Sequence, residues 1–304
     1  MRQADARHTA PLVQVARYWG NRQAAISYTF DDGLLEHYTE VLPQLRKRGL
    51  KATFGIIGSK VGRDQKGTPC MTWQQLREMA DDGQEIASHG WEHRNLTKLE
   101  GETLRHEVQH NDTVIHDSVG VWPRTFIFPG NAKSPAAAAY ASCGRVATRV
   151  RQVSLGSKRT ADWCRQWVRQ LLGNGEWGIA MTHGITCGYD AFSNPQVLWN
   201  HLDDVCTLHD SIWVATFHDV AAYVKERDAI RLEVIRHQKN VEVQPFLPLD
   251  HELYHQPLTL IIPDGSTRVR QNGHRLKTYR SGGCLCVDIN PHGGSLTFLV
   301  FAAP

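Results

Sequence analysis

Residues 24–33 have the sequence AAISYTFDDG, the clearest structural pattern in this chain. Residues 24–30 form an apolar run of strand length, and Asp31, Asp32 and Gly33 follow it directly. Uninterrupted apolar runs of this length are typical of strands that are buried on both faces, as in parallel sheets. The glycine allows the backbone to turn away after the strand. The stretch therefore predicts a buried strand that presents two carboxylates at its end.

The residues after this strand alternate between short apolar runs and helical patterns. Thr72 is a typical helix N-cap, and Gly49 and Gly83 are typical helix ends. Such alternation favours parallel strands that are covered by helices. We predict strands at residues 24–30, 51–57, 84–88, 124–128, 177–182 and 212–216. We predict helices at residues 38–48, 72–80, 102–117, 135–142, 162–172, 196–208 and 219–233.

The pattern changes after residue 235. Short β-type runs at 241–243, 258–263, 268–271, 284–289 and 295–301 are broken by Asp-Gly, Asn-Gly and Gly-Gly pairs. Pairs of this kind are typical of tight turns between antiparallel strands. The sequence therefore predicts two domains, an α/β domain over residues 1–235 and a small β-sandwich-like module over residues 236–304.

Composition excludes several classes of protein. With 41% hydrophobic and 21% charged residues, the 304-residue chain has the composition of a globular protein. The net charge of +3 is spread along the chain, which argues against a nucleic-acid partner. No apolar run reaches the roughly 18 residues of a membrane span, and residues 1–22 lack the apolar core of a signal peptide. The sequence leaves the oligomeric state undetermined.

The adjacent carboxylates of Asp31 and Asp32 form the first candidate site. Neighbouring side chains diverge, so one carboxylate can bind a cation while the other faces a reacting group, as metal-assisted hydrolysis requires. The same Asp-Asp-Gly triplet also suits a solvated turn, because Asp and Gly are common turn residues.

A second candidate lies in residues 88–93, SHGWEH, where His89 and His93 follow another predicted strand. Imidazole is the commonest protein ligand of zinc and similar metals. The segment also matches the His-x-x-Glu-His pattern of inverted zincins, although the preceding strand and Gly90 favour a loop over a helix. With 16 histidines in the chain, a surface or core role is a further alternative.

Together these segments supply one carboxylate and two imidazoles, a facial set of three metal ligands with room for water and substrate. His183, at the end of the strand predicted at 177–182, stands where hydrolysis needs a general acid. Trp91 between the candidate ligands and Tyr189 in the loop 184–195 are candidates for contacting a bound substrate, although loop aromatics also serve as packing.

The ordered set of motifs resembles the polysaccharide deacetylase superfamily, the NodB-homology domains of carbohydrate esterase family 4, over roughly residues 20–230. The resemblance implies a distorted (β/α)7 barrel with a divalent metal at the carboxyl ends of its strands. Zinc is the leading candidate for that metal, with Co²⁺, Ni²⁺ and Mn²⁺ as alternatives. The family also implies an extracytoplasmic location.

The resemblance assigns a role to each site residue. Asp31 is the implied base, His183 the implied acid, and Arg124 the implied arginine that orients the base. The implied metal ligands are Asp32, His89 and His93.

Two of the family's motifs are altered. The third usually reads Arg-x-Pro-Tyr, whereas residues 128–131 read FPGN, so Pro129 and Gly130 take the place of the substrate-binding segment and its oxyanion donor. Only Asp162-Trp163 remains of the fourth, and Asp162 equally suits a helix N-cap.

The implied activity is hydrolysis of acetyl groups on a poly- or oligosaccharide. The sequence leaves open N-acetyl substrates, such as chitooligosaccharide or peptidoglycan, and O-acetyl substrates, such as xylan. Two alternatives remain. The first is a carbohydrate-binding protein with an inactive barrel, and the second is a metal-independent cyclic-amide hydrolase of the same fold.

Overall fold

The computed structural model describes residues 12–65 and 67–301. The first eleven residues of the predicted first domain and the last three of the predicted second domain lie outside these ranges. Among the described helices, none is both long and apolar enough to cross a membrane.

Strand Ala24–Phe30 lies at the centre of the first domain, and all seven of its residues are buried. It pairs in parallel with Trp177–Thr182 on one side and with Thr53–Ile56 and Ile212–Val214 on the other. Its few polar side chains are satisfied locally; for example, the Thr29 hydroxyl donates a hydrogen bond to the Ala180 carbonyl at 2.9 Å. The continuous apolar run therefore reflects burial on both faces, as predicted.

The α/β fold class is confirmed. A curled parallel sheet is surrounded by helices, and its strands occur in the spatial order 147–149, 125–127, 85–88, 53–56, 24–30, 177–182 and 153–154. The strands in chain order are Ala24–Phe30, Thr53–Ile56, Glu85–Ser88, Thr125–Ile127, Ala147–Arg149, Val153–Ser154, Trp177–Thr182 and Ile212–Val214. A hairpin of Asp64–Gln65 and Thr68–Pro69 lies outside this sheet.

The α-helices are close to the predicted ones. Thr72 caps its helix in a capping box with Gln75, which explains why that start was readable. The α-helices are Leu42–Arg48, Trp73–Asp81, Gly101–Arg105, Asn111–Val119, Pro135–Ser142, Ala161–Asn174, Gln196–Cys206 and Phe217–Ala229. Two wider π-helical turns overlap predicted helices: His37–Val41 begins one residue before the predicted helix 38–48, and His106–His110 lies within the predicted helix 102–117.

The sheet curls almost into a closed ring. Its two edge strands, Ala147–Arg149 and Val153–Ser154, are joined only by residues 150–152. A connection of this length cannot reach further than about 14 Å, so the two edges approach one another. Residues 147–154 thus act as one bent strand that bridges the gap. This segment was not predicted, because it has neither the length nor the apolar pattern of the other strands.

The remaining strands form two antiparallel sheets. One contains Gln14–Val15, Leu258–Ile262, Cys284–Ile289 and Thr278–Ser281. The other contains Arg231–His237, Asn240–Phe246, Leu296–Val300, Ser266–Gln271 and His274–Arg275. Apolar side chains from both sheets form a common core, in agreement with the predicted β-sandwich-like module.

The structure corrects the join between the two parts. The helix predicted over residues 219–233 ends at Ala229, and strand Arg231–His237 begins directly after it. The predicted boundary at residue 235 therefore falls inside a strand. Strand Gln14–Val15, near the start of the chain, pairs with Leu258–Ile262 of the module. Because this pairing is long-range, no local pattern in the sequence indicates it.

His201 in the barrel core provides a test of the packing. Its Nε2 lies 3.0 Å from the hydroxyl of the buried Tyr28, and burial lowers the pKa of His201 from 6.5 to about 4. Between pH 4 and pH 6.5, His201 therefore stays neutral in the folded protein, whereas the same histidine is protonated in the unfolded chain. The contribution of the neutral His201 to the free energy of unfolding is fully present above pH 6.5. It is lost as the pH falls toward 4, which lowers the free energy of unfolding by about 3 kcal/mol.

We expect the His201→Gln variant to lose less free energy of unfolding than the wild type when the pH falls from 6.5 to 4. Urea unfolding at a series of pH values measures the difference. The exposed His209, changed to Gln, is the control and should leave the wild-type pH dependence intact. Parallel curves for wild type and His201→Gln would contradict the proposed burial of a neutral imidazole.

Candidate active site

The predicted base, metal ligands and general acid meet at one edge of the parallel sheet. Asp31, His89 and His183 each follow the carboxyl end of a strand, and these ends share one edge because the strands are parallel. A cavity of about 370 Å³ opens there, lined by both aspartates, the three predicted histidines, Gly130 and Tyr189. The strand order, which brings distant segments together, therefore assembles the site.

Asp32, His89 and His93 form a candidate metal centre. Asp32 Oδ1 lies 3.4 Å from His89 Nε2 and 3.7 Å from His93 Nε2. The ligand atoms of all three side chains lie within 4.8 Å of one another. Asp32 Oδ1 is buried and has no hydrogen-bond partner among the described residues. An orphaned carboxylate oxygen facing two imidazole nitrogens fits a divalent cation.

The backbone and a second layer of contacts aim these ligands. His89 Nδ1 lies 2.8 Å from the Ile127 carbonyl, which it can reach only as a donor, so Nε2 remains free to bind. Asp32 and His93 adopt left-handed backbone conformations, with φ of 78° and 62°. Such strain is held by surrounding structure and is common at functional sites.

The loop that carries His93 is fixed by a buried glutamate. Glu107 Oε1 accepts hydrogen bonds from the backbone amides of Glu92 and Arg94, both at 2.9 Å. Burial and the neighbouring His89 lower the pKa of His93, which favours the neutral form that binds metals. The loop is therefore held in a ligand-ready arrangement by the chain itself.

Asp31 forms a buried, bidentate ion pair with Arg149. The guanidinium donates to Asp31 Oδ1 at 2.7 Å and to Oδ2 at 2.5 Å, and both side chains are at least 98% buried. Burial alone would raise the pKa of Asp31, but Arg149 lowers it far below the ordinary range. Asp31 is therefore a carboxylate at any physiological pH, and its remaining lone pairs can accept a proton or hydrogen bond.

The arginine beside Asp31 is Arg149, not the predicted Arg124. Arg124 precedes strand Thr125–Ile127 and so lies at the amino edge of the sheet, at the end opposite to Asp31. Its guanidinium contacts the Gly144 carbonyl at 3.5 Å. The expectation for Arg124 was wrong, because the arginine beside Asp31 is the last residue of strand Ala147–Arg149, which has no strand-like pattern in the sequence.

His183 faces Asp31 across the cavity. Its Nε2 lies 3.9 Å from Asp31 Oδ2, and its ring meets that of Tyr189 edge-on, with centroids 5.0 Å apart. His183 Nδ1 is buried without a hydrogen-bond partner in the described part of the chain. The geometry allows proton exchange at Nε2 with a group bound in the cavity.

Glu36 and His37, which follow Asp32 closely in the chain, anchor the backbone around His183. The buried Glu36 carboxylate accepts hydrogen bonds from the amides of Ile185 and Thr186 and from the Thr186 hydroxyl. His37 Nε2 donates to the His183 carbonyl at 2.7 Å. Both anchors follow Asp31 and Asp32 closely in the chain, so one loop fixes both halves of the site. No local sequence pattern indicates these anchors, since their partners are about 150 residues away.

The predicted substrate-binding residues separate into two groups. Gly130 and the 73% exposed Tyr189 line the cavity. Trp91 does not line it, and its indole packs against the imidazoles of His106 and His110. Pro129 is buried and lies behind the cavity wall, near Gly90. The tryptophan between two ligands in sequence thus points away from them in space.

Asp162, considered above as a remnant of the fourth motif, lies outside the site. Its side chain is 90% exposed and pairs with Arg165, while Thr160 caps the helix. Asp190 lies closer to the cavity, where its carboxylate accepts hydrogen bonds from Ser154 and Ser157 at 2.8 and 2.6 Å. The pKa of Asp190 is lowered mainly by these hydrogen bonds, against the effect of burial, with a smaller contribution from His183.

Comparison with known proteins places this geometry in context. The polysaccharide deacetylase family model matches residues 20–146. A peptidoglycan-N-acetylglucosamine deacetylase from Listeria monocytogenes is 32% identical over 108 residues, which cover 35% of this chain and 22% of that protein. A chitin deacetylase from Pestalotiopsis sp is 31% identical over 101 residues, which cover 33% and 32%. The chain thus matches less than a third of the length of these relatives.

One solved structure is similar over most of its length. It is a crystal structure named as a candidate polysaccharide deacetylase from Mycobacterium smegmatis, and the match covers 74% of this chain and 98% of that one. The TM-score is 0.58 at 15% sequence identity. This likeness concerns the fold alone.

The ion pair between Asp31 and Arg149 yields a stability prediction. We expect Arg149→Met to lower the free energy of unfolding by about 3–5 kcal/mol, because the change leaves a buried carboxylate without its counter-charge. The matched control, Arg124→Met, should change it by less than about 0.5 kcal/mol. Chemical denaturation of both variants measures the difference. The double variant Asp31→Asn/Arg149→Met should recover part of the loss, and equal losses in the two single variants would refute the assignment.

Proposed function

Residues 20–146 belong to the polysaccharide deacetylase family, and from that premise we propose that the chain is a metal-dependent hydrolase that removes acetyl groups from a carbohydrate. One observation carries the proposal. A buried carboxylate, a candidate metal centre and a histidine face a single cavity, with His183 Nε2 only 3.9 Å from Asp31 Oδ2. A hydrolase of this kind needs a base, a Lewis acid and a general acid around one reacting carbon.

Asp32, His89 and His93 would hold the metal, with zinc first among the candidates and Co²⁺, Ni²⁺ or Mn²⁺ as alternatives. The bound ion would polarise an acetyl carbonyl and make water easier to deprotonate. Support comes from the donor set itself, because one carboxylate and two imidazoles leave coordination positions open for water and substrate.

Asp31 would act as the general base. Arg149 keeps this carboxylate ionised and fixes its plane, so that a free lone pair can receive the proton of the attacking water. The two hydrogen bonds from Arg149 hold the Asp31 carboxylate in one orientation. A fixed orientation favours proton transfer from a water molecule in one position.

His183 would act as the general acid. Protonated at Nε2, it would donate that proton to the departing amine or alkoxide while acetate leaves. Gly130 lines the same cavity, where its backbone amide could donate to the developing oxyanion. Tyr189, exposed at the rim beside His183, would contact the sugar ring.

The proposed substrate is a carbohydrate that carries acetyl groups on nitrogen or oxygen. Relatives named for peptidoglycan and for chitin support N-acetylglucosamine polymers as the first substrates to test. O-acetylated xylan belongs in the same panel, because ester hydrolysis needs the same base, acid and metal. Acetate release from each polymer, measured at equal acetyl concentration, ranks the three.

Metal binding can be tested apart from activity. We expect metal-free protein to bind one Zn²⁺ in calorimetric titration, and His93→Ala to weaken binding at least about tenfold, since one of three ligands is lost. His93 is partly exposed, so its removal should leave the fold intact. His110→Ala, which changes a nearby histidine outside the set, is the control. Equal affinities in the two variants would exclude the proposed ligands.

Catalysis is tested by acetate release from a chitooligosaccharide. We expect chelator to abolish release and added Zn²⁺ to restore it. His183→Gln should lower kcat by roughly 10²–10⁴-fold, the usual contribution of a general acid, with Zn²⁺ affinity almost unchanged. The half-buried His116→Gln, which lies outside the cavity, serves as control. Oligosaccharide binding without acetate release, with metal supplied, would instead favour the binding-protein alternative, and chelator-insensitive release would favour the metal-independent hydrolase.

A further inference from the structure

A cluster of uncompensated cations lies on the β module, in the part of the chain beyond the family match. Residues 265–287 contain no Asp or Glu, whereas they contain Arg268, Arg270, Arg275, Lys277 and Arg280. Arg280 pairs with Asp264 at 3.1 Å. In the described part of the chain, Arg268, Arg275 and Lys277 have neither an ion pair nor a side-chain hydrogen bond.

These three free cations converge on one cavity. It has a volume of about 520 Å³ and is lined by Arg268, Arg275 and Lys277 together with the hydroxyl-bearing Ser266, Thr267 and Thr278. Like charges around one cavity repel each other, and a bound anion removes that cost. The cavity therefore has the chemistry of an anion site with additional hydrogen-bonding groups.

A β-bulge places Arg268 at this cavity. The register between Ser266–Gln271 and Leu296–Val300 shifts between Thr267 and Arg270. Thr267 and Arg268 are both exposed, whereas Val269 returns to the core, so the extra outward residue is Arg268. Its φ of 55° is a left-handed conformation that an arginine adopts only at a cost. Bulges commonly re-aim side chains near functional sites.

A second unfavourable feature lies beside the bulge. Arg270 and Arg275 are direct partners across the antiparallel strands. Like charges in this position destabilise a sheet, and opposite charges would stabilise it. The Arg270 guanidinium bends to the Gly273 carbonyl at 2.8 Å, while Arg275 remains at the cavity. A strained backbone and a like-charge pair at the same place are hard to explain by folding stability alone.

We propose that this cavity binds a carboxylated polysaccharide, with Arg268, Arg275 and Lys277 as the anion-binding residues. The choice of a glycan rests on the proposed function of the barrel. Guanidinium groups bind carboxylates through paired hydrogen bonds, and the neighbouring hydroxyls suit sugar hydroxyls. Nucleic acid is disfavoured, because no aromatic side chain lines the cavity to stack on a base. The module would thereby hold an acidic polymer while the barrel acts on it.

The experiment measures binding of the full-length chain to polygalacturonate by calorimetry, at low and at moderate salt. We expect saturable binding that weakens with salt, and a rise in Kd of roughly tenfold or more in the variant Arg268→Gly/Arg275→Gln/Lys277→Gln. The matched control, Arg231→Gln/Arg236→Gln/Lys239→Gln, removes three exposed cations from the same sheet and should change Kd by less than about twofold.

The single variant Arg268→Gly separates binding from folding. Glycine accepts a φ of 55° without strain, so the thermal midpoint should stay the same or rise while the affinity falls.

Equal losses of affinity in the two triple variants would overturn the proposal. So would single-stranded DNA of the same charge that binds as tightly as polygalacturonate. Chitooligosaccharide acetate release should be unchanged in all of these variants. If the barrel proves inactive but the binding results hold, only the proposed function fails.

Discussion

The buried ion pair between Asp31 and Arg149 is the interaction on which the rest of the structure depends. Asp31 follows the central strand directly, and Arg149 is the last residue of the edge strand Ala147–Arg149, within the segment that bridges the two edges of the sheet. One pair of charges therefore fixes the closure of the barrel and the state of the candidate base. Two charges buried this deeply are tolerated because each neutralises the other through two short hydrogen bonds. Fold and site are thus linked by the same contact.

The remaining parts of the site are held by contacts between loops. Glu36 and His37 bind the backbone that follows His183, and Glu107 binds the backbone that carries His93. Each carboxylate is buried and satisfied by amide donors, which is an arrangement that rigidifies a loop. A rigid frame of this kind allows Asp32 to keep a buried oxygen that has no hydrogen-bond partner within residues 12–65 and 67–301. A bound cation would offset the free-energy cost of burying this oxygen without a hydrogen bond.

The β module extends the molecule beyond the segment that matches the family. Tyr223 of the last barrel helix is buried in the module's core and donates a hydrogen bond to the Ala16 carbonyl at 2.9 Å. Module and barrel therefore share packing rather than a flexible linker. A rigid attachment gives any polymer bound on the module a fixed relation to the barrel, which raises its effective concentration there.

Local patterns in the sequence were enough to predict the strand at 24–30, the helix start at Thr72, and the placement of the two candidate ligand segments after strands. These features were readable because burial on both faces, helix capping and strand-end carboxylates leave local patterns. Only the tertiary structure decided that Arg149 rather than Arg124 pairs with Asp31, that Trp91 turns away from the cavity, and that residues 14–15 join the module. Those outcomes depend on contacts between residues far apart in the chain, for which a single sequence carries no periodic signal.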